Sequence, residues 1–332
     1  MQPRVSVIVT CYNYGRFVAE AVDSLLGQTF AELEVIVVDD ASPDNSREVL
    51  LERYADNPRV KLLLHEQNQG HIRSYNEGLA LARGEFMGVL AADDFCLRPD
   101  AIARQVAVFD ANPQVGFVYS AYAMVDVQSK PFRAFQPFEA DYVRNGFVEF
   151  RDLMFRNYIP HSGTLVRRSA HDVVGLYDTA LPHAGDWDLW LRVASRFDVG
   201  YVSEQLYAYR VHGTNMSIAR YSPSHANGEV LLTVDKAFAA LPSSTPPDIL
   251  ASRAAARHNA LMKTTWGDRS LGRVRRAWSG LADAARRDPA LLRTRLFYGH
   301  LVRLVVLTLV GHRRYQRLVT DHRAQRQSQP AV

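Results

Sequence analysis

The sequence predicts an α/β fold in which a mostly parallel sheet is flanked by helices and followed by a helical C-terminal extension. Short apolar runs alternate with segments of helical spacing along residues 1–110, which is the pattern of a parallel sheet with right-handed crossovers. The pattern is less regular over 111–222 and is helical over 223–332. With 332 residues, 47% of them hydrophobic, the chain is long enough for two domains, which we place at 1–222 and 223–332.

The elements of the first half follow from runs of apolar residues. Val5–Thr10 is almost entirely β-branched, as expected of a strand buried on both faces. Apolar residues then recur at helical spacing, which predicts a helix over Arg16–Leu26 that ends at Gly27. The same reasoning predicts three more strands and three more helices, namely strands over Leu33–Val38, Val60–Leu64 and Phe86–Ala92, and helices from Asp44 to Tyr54, Ser74 to Ala82 and Ala101 to Phe109.

The elements of residues 111–222 are separated by longer irregular segments, of which Asp126–Asn145 is the longest. Because this half adds little regular sheet, we expect it to line the site of a second ligand. We predict strands over Val115–Met124, Tyr158–Val166 and Val199–Arg210, and helices over Phe147–Phe155 and Asp186–Ser195.

Charge and cysteine usage indicate a cytoplasmic protein with a basic C-terminal region. Residues 251–332 contain seventeen Lys and Arg against four Asp, whereas residues 1–250 have a net charge of −9. Such a tail indicates an anionic surface as a partner. Cys11 and Cys96 lack metal-binding or disulfide spacing, so we expect both to be reduced packing residues. The N-terminal residues enter a strand without a secretory signal pattern, which favours cytoplasmic residence.

The C-terminal region begins after two soft boundaries, at Tyr221–Gly228 and Leu241–Pro247, and contains a predicted helix over Leu271–Ala285. A second helix, Leu296–Gly311, has an apolar run too short to cross a bilayer. Seven apolar residues share one broad face of this helix, namely Phe297, Tyr298, Leu301, Val302, Leu304, Val305 and Leu309. Five other residues share the opposite face, namely Arg293, His300, Arg303, Arg314 and Arg317. Two placements of this helix are open. In the first, residues 293–326 lie on an anionic membrane surface, with Arg313, Arg323 and Arg326 also near headgroups. In the second, the helix packs on its own domain and its basic face is solvated.

Adjacent carboxylates follow two of the predicted strands. Asp39 and Asp40 end the second strand, and Asp93 and Asp94 end the fourth. Ligands of parallel α/β sheets bind beyond the carboxyl ends of the strands, so we expect both pairs at one site. Charge at the end of a buried strand is costly unless a cation meets it, and Mg²⁺ or Mn²⁺ with a phosphorylated ligand would do so. The alternative is that these residues cap the turns and helices that follow.

A set of short motifs surrounds these carboxylates within residues 4–220. The segment Val5–Ser46 includes Val-Ile-Val-Thr-Cys-Tyr-Asn and Glu-Val-Ile-Val-Val-Asp-Asp-Ala-Ser. Further motifs are Asn68-Gln69-Gly70, Asn76-Glu77-Gly78, Gly84-Glu85-Phe86, Ala92-Asp93-Asp94, Gly185-Asp186-Trp187-Asp188-Leu189-Trp190 and Tyr209-Arg210-Val211-His212-Gly213. Together they resemble the family 2 glycosyltransferases of the GT-A fold, which is Rossmann-like. The resemblance implies a nucleotide-sugar-binding half at 1–110 and an acceptor-binding half at 111–222.

The resemblance also implies a role for each matching residue. It makes Asp186 the catalytic base and Asp94 and His212 ligands of Mg²⁺ or Mn²⁺. It assigns donor binding to Thr10, Tyr12, Asp39, Arg73, Asp93 and Arg210. The chain departs from the family pattern at three places: Ala92 replaces the first Asp of Asp-x-Asp, Gly185 replaces a Glu, and Tyr75 stands where an Arg is frequent. For Asp186 the alternative role is the N-cap of its helix.

The activity implied by the resemblance is an inverting transfer from a nucleotide-diphosphate sugar, with a UDP-sugar as the first candidate. The expected acceptor is a glycan or lipid-linked saccharide in cell-surface polysaccharide synthesis, with any attachment at the inner face of the cell membrane and no nucleic-acid partner. The alternatives are a non-catalytic glycan- or nucleotide-binding protein with a decayed site, and a sugar-phosphate nucleotidyltransferase. A nucleotidyltransferase would need a Gly-rich, basic loop after the first strand, and Cys11–Arg16 is not such a loop. A dinucleotide-dependent oxidoreductase would need GxGxxG at the same place, and this motif is absent from the sequence there.

Overall fold

The computed structural model of the protein describes residues 2–213, 215 and 223–317. Contacts divide the chain into two compact units, the first comprising Met1–Ala219 with Lys236–Leu250 and the second Arg220–Asp235 with Ala251–Val332. Residues 236–250 thus group with the first unit, and the domain boundary at 222/223 stays a prediction.

One sheet organises the first unit, and in the described residues it has ten strands. These are β1 (Val5–Cys11), β2 (Leu33–Asp39), β3 (Val60–Leu64), β4 (Phe86–Ala91), β5 (Phe95–Cys96), β6 (Val115–Val125), β7 (Pro131–Phe135), β8 (Tyr142–Arg144), β9 (Leu165–Arg167) and β10 (Asp198–Arg210). The strand order is β3-β2-β1-β4-β9-β6-β10-β5, with β7 added to β6 and β8 to β10. The pairs β1–β2, β1–β4, β2–β3 and β6–β10 are parallel, and β9, β5, β7 and β8 pair antiparallel.

The helices of the first unit lie between these strands. They are α1 (Gly15–Leu26), α2 (Ser46–Tyr54), α3 (His71–Leu81), α4 (Ala101–Ala111), α5 (Gly146–Leu153), α6 (Arg168–Val174) and α7 (Gly185–Ala194). After α8 (Pro223–Ala239) and α9 (Pro247–Ala251), the second unit contains α10 (Arg253–Ser270), α11 (Val274–Arg287), a 3₁₀ helix (Pro289–Arg293) and α12 (Arg295–Val310). The soft boundary predicted around Tyr221–Gly228 lies next to the point where the second unit starts, at Arg220, although the chain is helical from residue 223 on. Residues 221 and 222 lie outside the described residues.

Strands β1 and β2 are buried along their whole length, as their β-branched sequences predict. Their register pairs Cys11 with Asp39, and the register of β1 with β4 pairs Thr10 with Ala91. Asp39 and the carboxylates that follow Ala91 therefore reach the same edge of the sheet. The α/β architecture with a central sheet between helices is confirmed, and the four strands predicted within residues 1–110 pair in parallel as expected.

The strand predicted over Tyr158–Val166 is wrong except at its end, since β9 covers only Leu165–Arg167. The residues before it form a loop in which the N–H of Gly163 donates to the carbonyl of Val89 at 2.9 Å. Gly163 has φ +81°, and a Cβ at this position would lie 2.4 Å from the ring of the buried Tyr207. This close approach, which periodicity does not report, keeps the segment out of the extended conformation.

Helix α12 packs on the core of its own unit. Phe297, Leu304 and Leu307 are buried there with residues of α10 and α11. The predicted faces of the helix are therefore wrong: Phe297 and Leu304 point away from the exposed apolar residues, and His300 is buried rather than part of a solvated basic face. Arg323 and Arg326 lie outside the described residues.

Across residues 2–213, 215 and 223–317, every helix is too short or too polar to span a lipid bilayer.

Candidate active site

Asp39 lies at the end of β2 and is fully buried. Its Oδ1 accepts from the hydroxyl of Ser42 at 2.5 Å and its Oδ2 from the Ser42 N–H at 3.3 Å. The Ser42 hydroxyl also accepts from the N–H of Asn13, so the turns that follow β1 and β2 are joined. The alternative that Asp39 caps α2 is wrong, because the carboxylate bonded to the first residue of α2 is Asp44, which accepts from the N–H of Ser46 at 3.1 Å.

Asp40 is bound entirely within the protein. Its Oδ1 accepts from the N–H of Gln69 and its Oδ2 from the N–H of Gly70, both at 2.8 Å, which fixes the loop before α3. His65 Nδ1 lies 2.8 Å from Asp40 Oδ1, and His65 Nε2 lies 2.8 Å from Glu77 Oε2. Burial alone would lower the pKa of His65, but hydrogen bonds to the two carboxylates raise it above its usual value. Asp40 thus organises the loop rather than facing a ligand.

Asp93 and Asp94 follow β4 and are both buried. Asp93 Oδ2 accepts from Asn215 Nδ2 at 3.1 Å and lies 3.0 Å from His212 Nε2. Asp94 Oδ1 accepts from the N–H of Arg210 at 2.9 Å. Burial and the adjacent charge of Asp93 hold the pKa of Asp94 well above its ordinary value. Ionising both carboxylates in this buried position is therefore costly, and a bound cation would offset that cost. Asp100, and neither residue of the pair, holds the N-cap position of α4.

Arg210 is almost completely buried beside this pair. Its Nε donates to the backbone carbonyl of Asp93 at 2.8 Å, and its two terminal nitrogens donate to Ser129 Oγ at 2.9 Å and Glu20 Oε2 at 2.5 Å. The guanidinium also lies 4.5 Å from the ring centre of Phe17. The side chain therefore holds the backbone at Asp93, and its contact with the donor stays a prediction.

Asp186 is the second residue of α7 and is partly exposed. Its Oδ1 accepts from the N–H of Trp187 at 2.7 Å, and its Oδ2 accepts from Asn157 Nδ2 at 3.0 Å. The N-cap position belongs to Ala184, so the alternative that Asp186 is the N-cap is wrong. Its carboxyl group lies deep enough that burial raises the pKa to about 6. A carboxylate of this kind is ionised at neutral pH and basic enough to accept a proton.

Tyr75 of α3 lies in the interior near the charged residues of the site. Its ring is buried, and its centre lies 5.7 Å from that of Tyr177. Burial raises the pKa of Tyr75, and the nearby charges of Asp93, Asp94 and Asp186 raise it further. The charges of all three carboxylates thus act on this one phenol, and a shared site for the predicted metal ligand and the predicted base stays a prediction.

A neutral polar wall lies beside this phenol. The His161 ring is 4.6 Å from the ring centre of Tyr75, and His161 Nε2 is 3.0 Å from the hydroxyl of Tyr177. Burial lowers the pKa of His161 to about 3, so the imidazole is neutral at pH 7. Asn76 bonds to both the N–H and the carbonyl of Tyr177. The motif that contains Asn76 is visible in the sequence, whereas the positions of Tyr75 and His161 beside it are not, and no motif signals His161.

The remaining predicted donor-binding residues lie at the rim or wall of the site. Tyr12 follows β1 directly and its side chain is 45% exposed, so its ring is accessible for stacking on a nucleobase. Thr10 is buried one position before the end of β1. Arg73 lies on the first turn of α3 and is exposed. The structure leaves the donor roles of these three residues as predictions.

The carboxylate oxygens of the site fit a divalent cation that also binds the phosphates of a ligand. Within the described part of the chain, no group of three or more His, Cys, Asp or Glu side chains is arranged to hold an ion by itself. Asp93 and Asp94 nevertheless supply adjacent carboxylate oxygens, the ligands that Mg²⁺ and Mn²⁺ prefer. An ion here would take its other ligands from phosphate oxygens and water.

Comparison with protein families identifies one match over half of the chain. The model described as Glycosyl transferase family 2 matches residues 6–174. The chain is 27% identical to the chondroitin synthase of Escherichia coli over 221 residues, which are 66% of this chain and 30% of that protein. It is also 27% identical to the hyaluronan synthase of Pasteurella multocida over 233 residues, which are 69% of this chain and 23% of that protein. The chain thus spans less than a third of the length of these relatives.

Two solved structures share the fold. S. aureus TarS residues 1–349 in complex with UDP-GlcNAc has a TM-score of 0.69 at 20% identity and covers 94% of this chain and 92% of that chain. The mannosyltransferase PcManGT from Pyrobaculum calidifontis, in complex with GDP-Man and Mn²⁺, has a TM-score of 0.60 at 19% identity and covers 96% of this chain and 84% of that chain. At this level of identity the two structures support the architecture alone.

Proposed function

The chain belongs to glycosyl transferase family 2 and is a glycosyltransferase, and from this premise we propose that it moves a sugar from a nucleotide-diphosphate sugar to a saccharide with inversion. The observation that supports this best is the register of β1 with β2 and β4, which brings Asp39 and the buried pair Asp93 and Asp94 to one edge of the sheet. The charges of Asp93, Asp94 and Asp186 all raise the pKa of the buried Tyr75, as expected if Asp186 faces the same site. A donor diphosphate at Asp93 and Asp94, with an acceptor hydroxyl at Asp186, would place the reacting atoms between these carboxylates.

The proposed donor is a UDP-sugar. Asp39 would accept hydrogen bonds from the nucleoside, and Tyr12 would stack on the base. TarS with UDP-GlcNAc and PcManGT with GDP-Man show that one fold accommodates either base, so the base is open to test. The proposed acceptor is a glycan or a lipid-linked saccharide in polysaccharide synthesis, which the similarity to the chondroitin and hyaluronan synthases supports.

Asp93 and Asp94 would hold Mg²⁺ or Mn²⁺ beside the donor diphosphate. The ion, when bound, supplies charge that neutralises the departing nucleoside diphosphate. His212 and Asn215 bond to Oδ2 of Asp93 and would keep its Oδ1 directed toward the ion. Direct ligation of the ion by His212 stays a prediction. Arg210 would act as a positioning residue, since its backbone N–H bonds to Asp94 and its guanidinium bonds to the carbonyl of Asp93.

Asp186 would take the proton of the attacking acceptor hydroxyl. Inversion requires this base on the face of the sugar opposite the leaving group. With a pKa of about 6, the carboxylate is mostly ionised at pH 7 and remains basic. The bond from Asn157 orients one carboxylate oxygen, and the N–H of Trp187 orients the other.

The proposal is tested by separating donor binding from transfer. Calorimetric titration with UDP-sugars and GDP-mannose in the presence of Mn²⁺ identifies the donor, and mass spectrometry of saccharide products measures transfer. We expect Asp186→Asn to bind the donor as tightly as the wild type while transfer falls at least about a hundredfold. Asp94→Ala should lose the effect of Mn²⁺ on donor binding.

Asp56→Asn, at an exposed residue of the same unit, is the matched control and should behave as the wild type. Normal transfer by Asp186→Asn would show that Asp186 is not the base. Identical donor affinity of the wild type with Mn²⁺ and with a chelator would remove the metal from the proposal.

A further inference from the structure

Helix α12 exposes a line of apolar side chains on the side opposite the core of its unit. Tyr298, Val302, Val305 and Leu309 are 54%, 60%, 38% and 79% exposed. Their spacing of four, three and four residues places them on one stripe along the helix, here called the α12 stripe. The helix is thus apolar on both sides, whereas a helix that only packs on its own unit would have a polar outer face.

Positive charge surrounds the α12 stripe. Residues 289–317 contain six arginines and no acidic residue. All six are exposed, namely Arg293, Arg295, Arg303, Arg313, Arg314 and Arg317. They lie before the stripe, beside it and beyond its C-terminal end. A second copy of this surface would bring two sets of arginines together, and they would repel each other. An anionic surface would neutralise them, so the charge favours an anionic partner over a second copy.

The dimensions fit a helix that lies on a lipid surface. A helix of sixteen residues is about 24 Å long, and the α12 stripe extends along most of it. Amphipathic helices of this kind bury their apolar side chains at the boundary of headgroups and acyl chains, while long basic side chains reach the phosphates. Tyr298 has the ring and hydroxyl that suit this boundary.

We propose that residues 293–317 form a docking surface for anionic phospholipids, with α12 parallel to the membrane and the α12 stripe directed into it. The surface consists of other residues than the proposed transfer site, and its binding needs neither donor nor acceptor. Failure of one proposal therefore leaves the other intact.

The test is co-sedimentation of the full chain with vesicles of phosphatidylcholine, with and without phosphatidylglycerol. The wild type should bind the anionic vesicles at least about tenfold more tightly than the neutral ones, and salt should weaken the binding. Val302→Glu with Leu309→Glu should reduce the affinity at least about tenfold. Val173→Glu, at a 62% exposed position of α6, is the matched control and should bind as the wild type.

A second variant tests charge without altering the apolar side chains. Arg313→Gln with Arg314→Gln should weaken binding to anionic vesicles by about tenfold or more, since each arginine near such a surface contributes a severalfold gain. Equal binding of the wild type to neutral and anionic vesicles would overturn the proposal, as would unchanged binding of the stripe variant. A dimer in sedimentation equilibrium that the stripe variant abolishes would assign the surface to a second copy and likewise overturn it.

Discussion

Removing the side-chain amide of Asn157 should move the acid limb of the transfer reaction toward higher pH. Asn157 Nδ2 donates to Asp186 Oδ2 at 3.0 Å, and this bond favours the ionised carboxylate, whose pKa is about 6. A hydrogen bond to a charged group contributes about 1.5 kcal/mol or more, and about 1.4 kcal/mol corresponds to a tenfold change in ionisation. Asn157→Ala should therefore raise the pKa of Asp186 to about 7.

The consequence is a rate difference that depends on pH. At pH 6 the ionised fraction of Asp186 should fall from about one half to about one tenth, so kcat/KM should drop about fivefold. Well above pH 8 both enzymes keep the base ionised, and the two rates should converge. The profile of kcat/KM against pH, measured with the donor that the binding screen identifies, distinguishes this effect from a general loss of activity.

Two further variants make the measurement decisive. Asn112→Ala removes an amide that donates to the carbonyl of Val108 within α4, and it should leave the profile unchanged. Asp186→Asn should abolish the acid limb together with most of the rate. An acid limb of Asn157→Ala at the wild-type position would refute the assigned role of Asn157, and an acid limb that persists in Asp186→Asn would refute the base.

Two predictions concern stability. Because the folded pKa of His65 is raised, its contribution to stability is complete below the unfolded pKa and is lost as pH rises through the folded pKa. The free energy of unfolding, measured in urea, should therefore fall with rising pH more steeply in the wild type than in His65→Gln, and parallel curves would contradict this. Gly163→Ala should destabilise the chain by roughly 2 kcal/mol or more, since the new Cβ meets the Tyr207 ring at φ +81°. Gly175→Ala, also at φ +81° but with open space, should cost only about 1 kcal/mol, and equal losses would rule out the clash.

The first half of the fold is predictable because its signals are local. A run such as Val5–Cys11 is apolar at nearly every position, which few structures other than a central parallel strand accommodate. The ends of such strands meet at one edge of the sheet, so the convergence of Asp39 with the residues after β4 also follows from the sequence. In contrast, β9 has only three residues, and its antiparallel pairing with β4 and β6, not its own periodicity, decides where it begins.

The sequence by itself determined the family, the parallel half of the sheet and the candidate carboxylates, since each depends on short motifs or runs that are complete within a few consecutive residues. Only the tertiary structure showed that Asp39 and Asp40 have different roles. The backbone N–H groups of Gln69 and Gly70, about thirty residues away in the chain, donate to both carboxylate oxygens of Asp40. It also showed that Arg210 bonds to Glu20 and that four apolar side chains of α12, the α12 stripe, are exposed. Hydrogen bonds and burial between distant segments decide which polar groups are already satisfied, and a linear pattern does not contain that information.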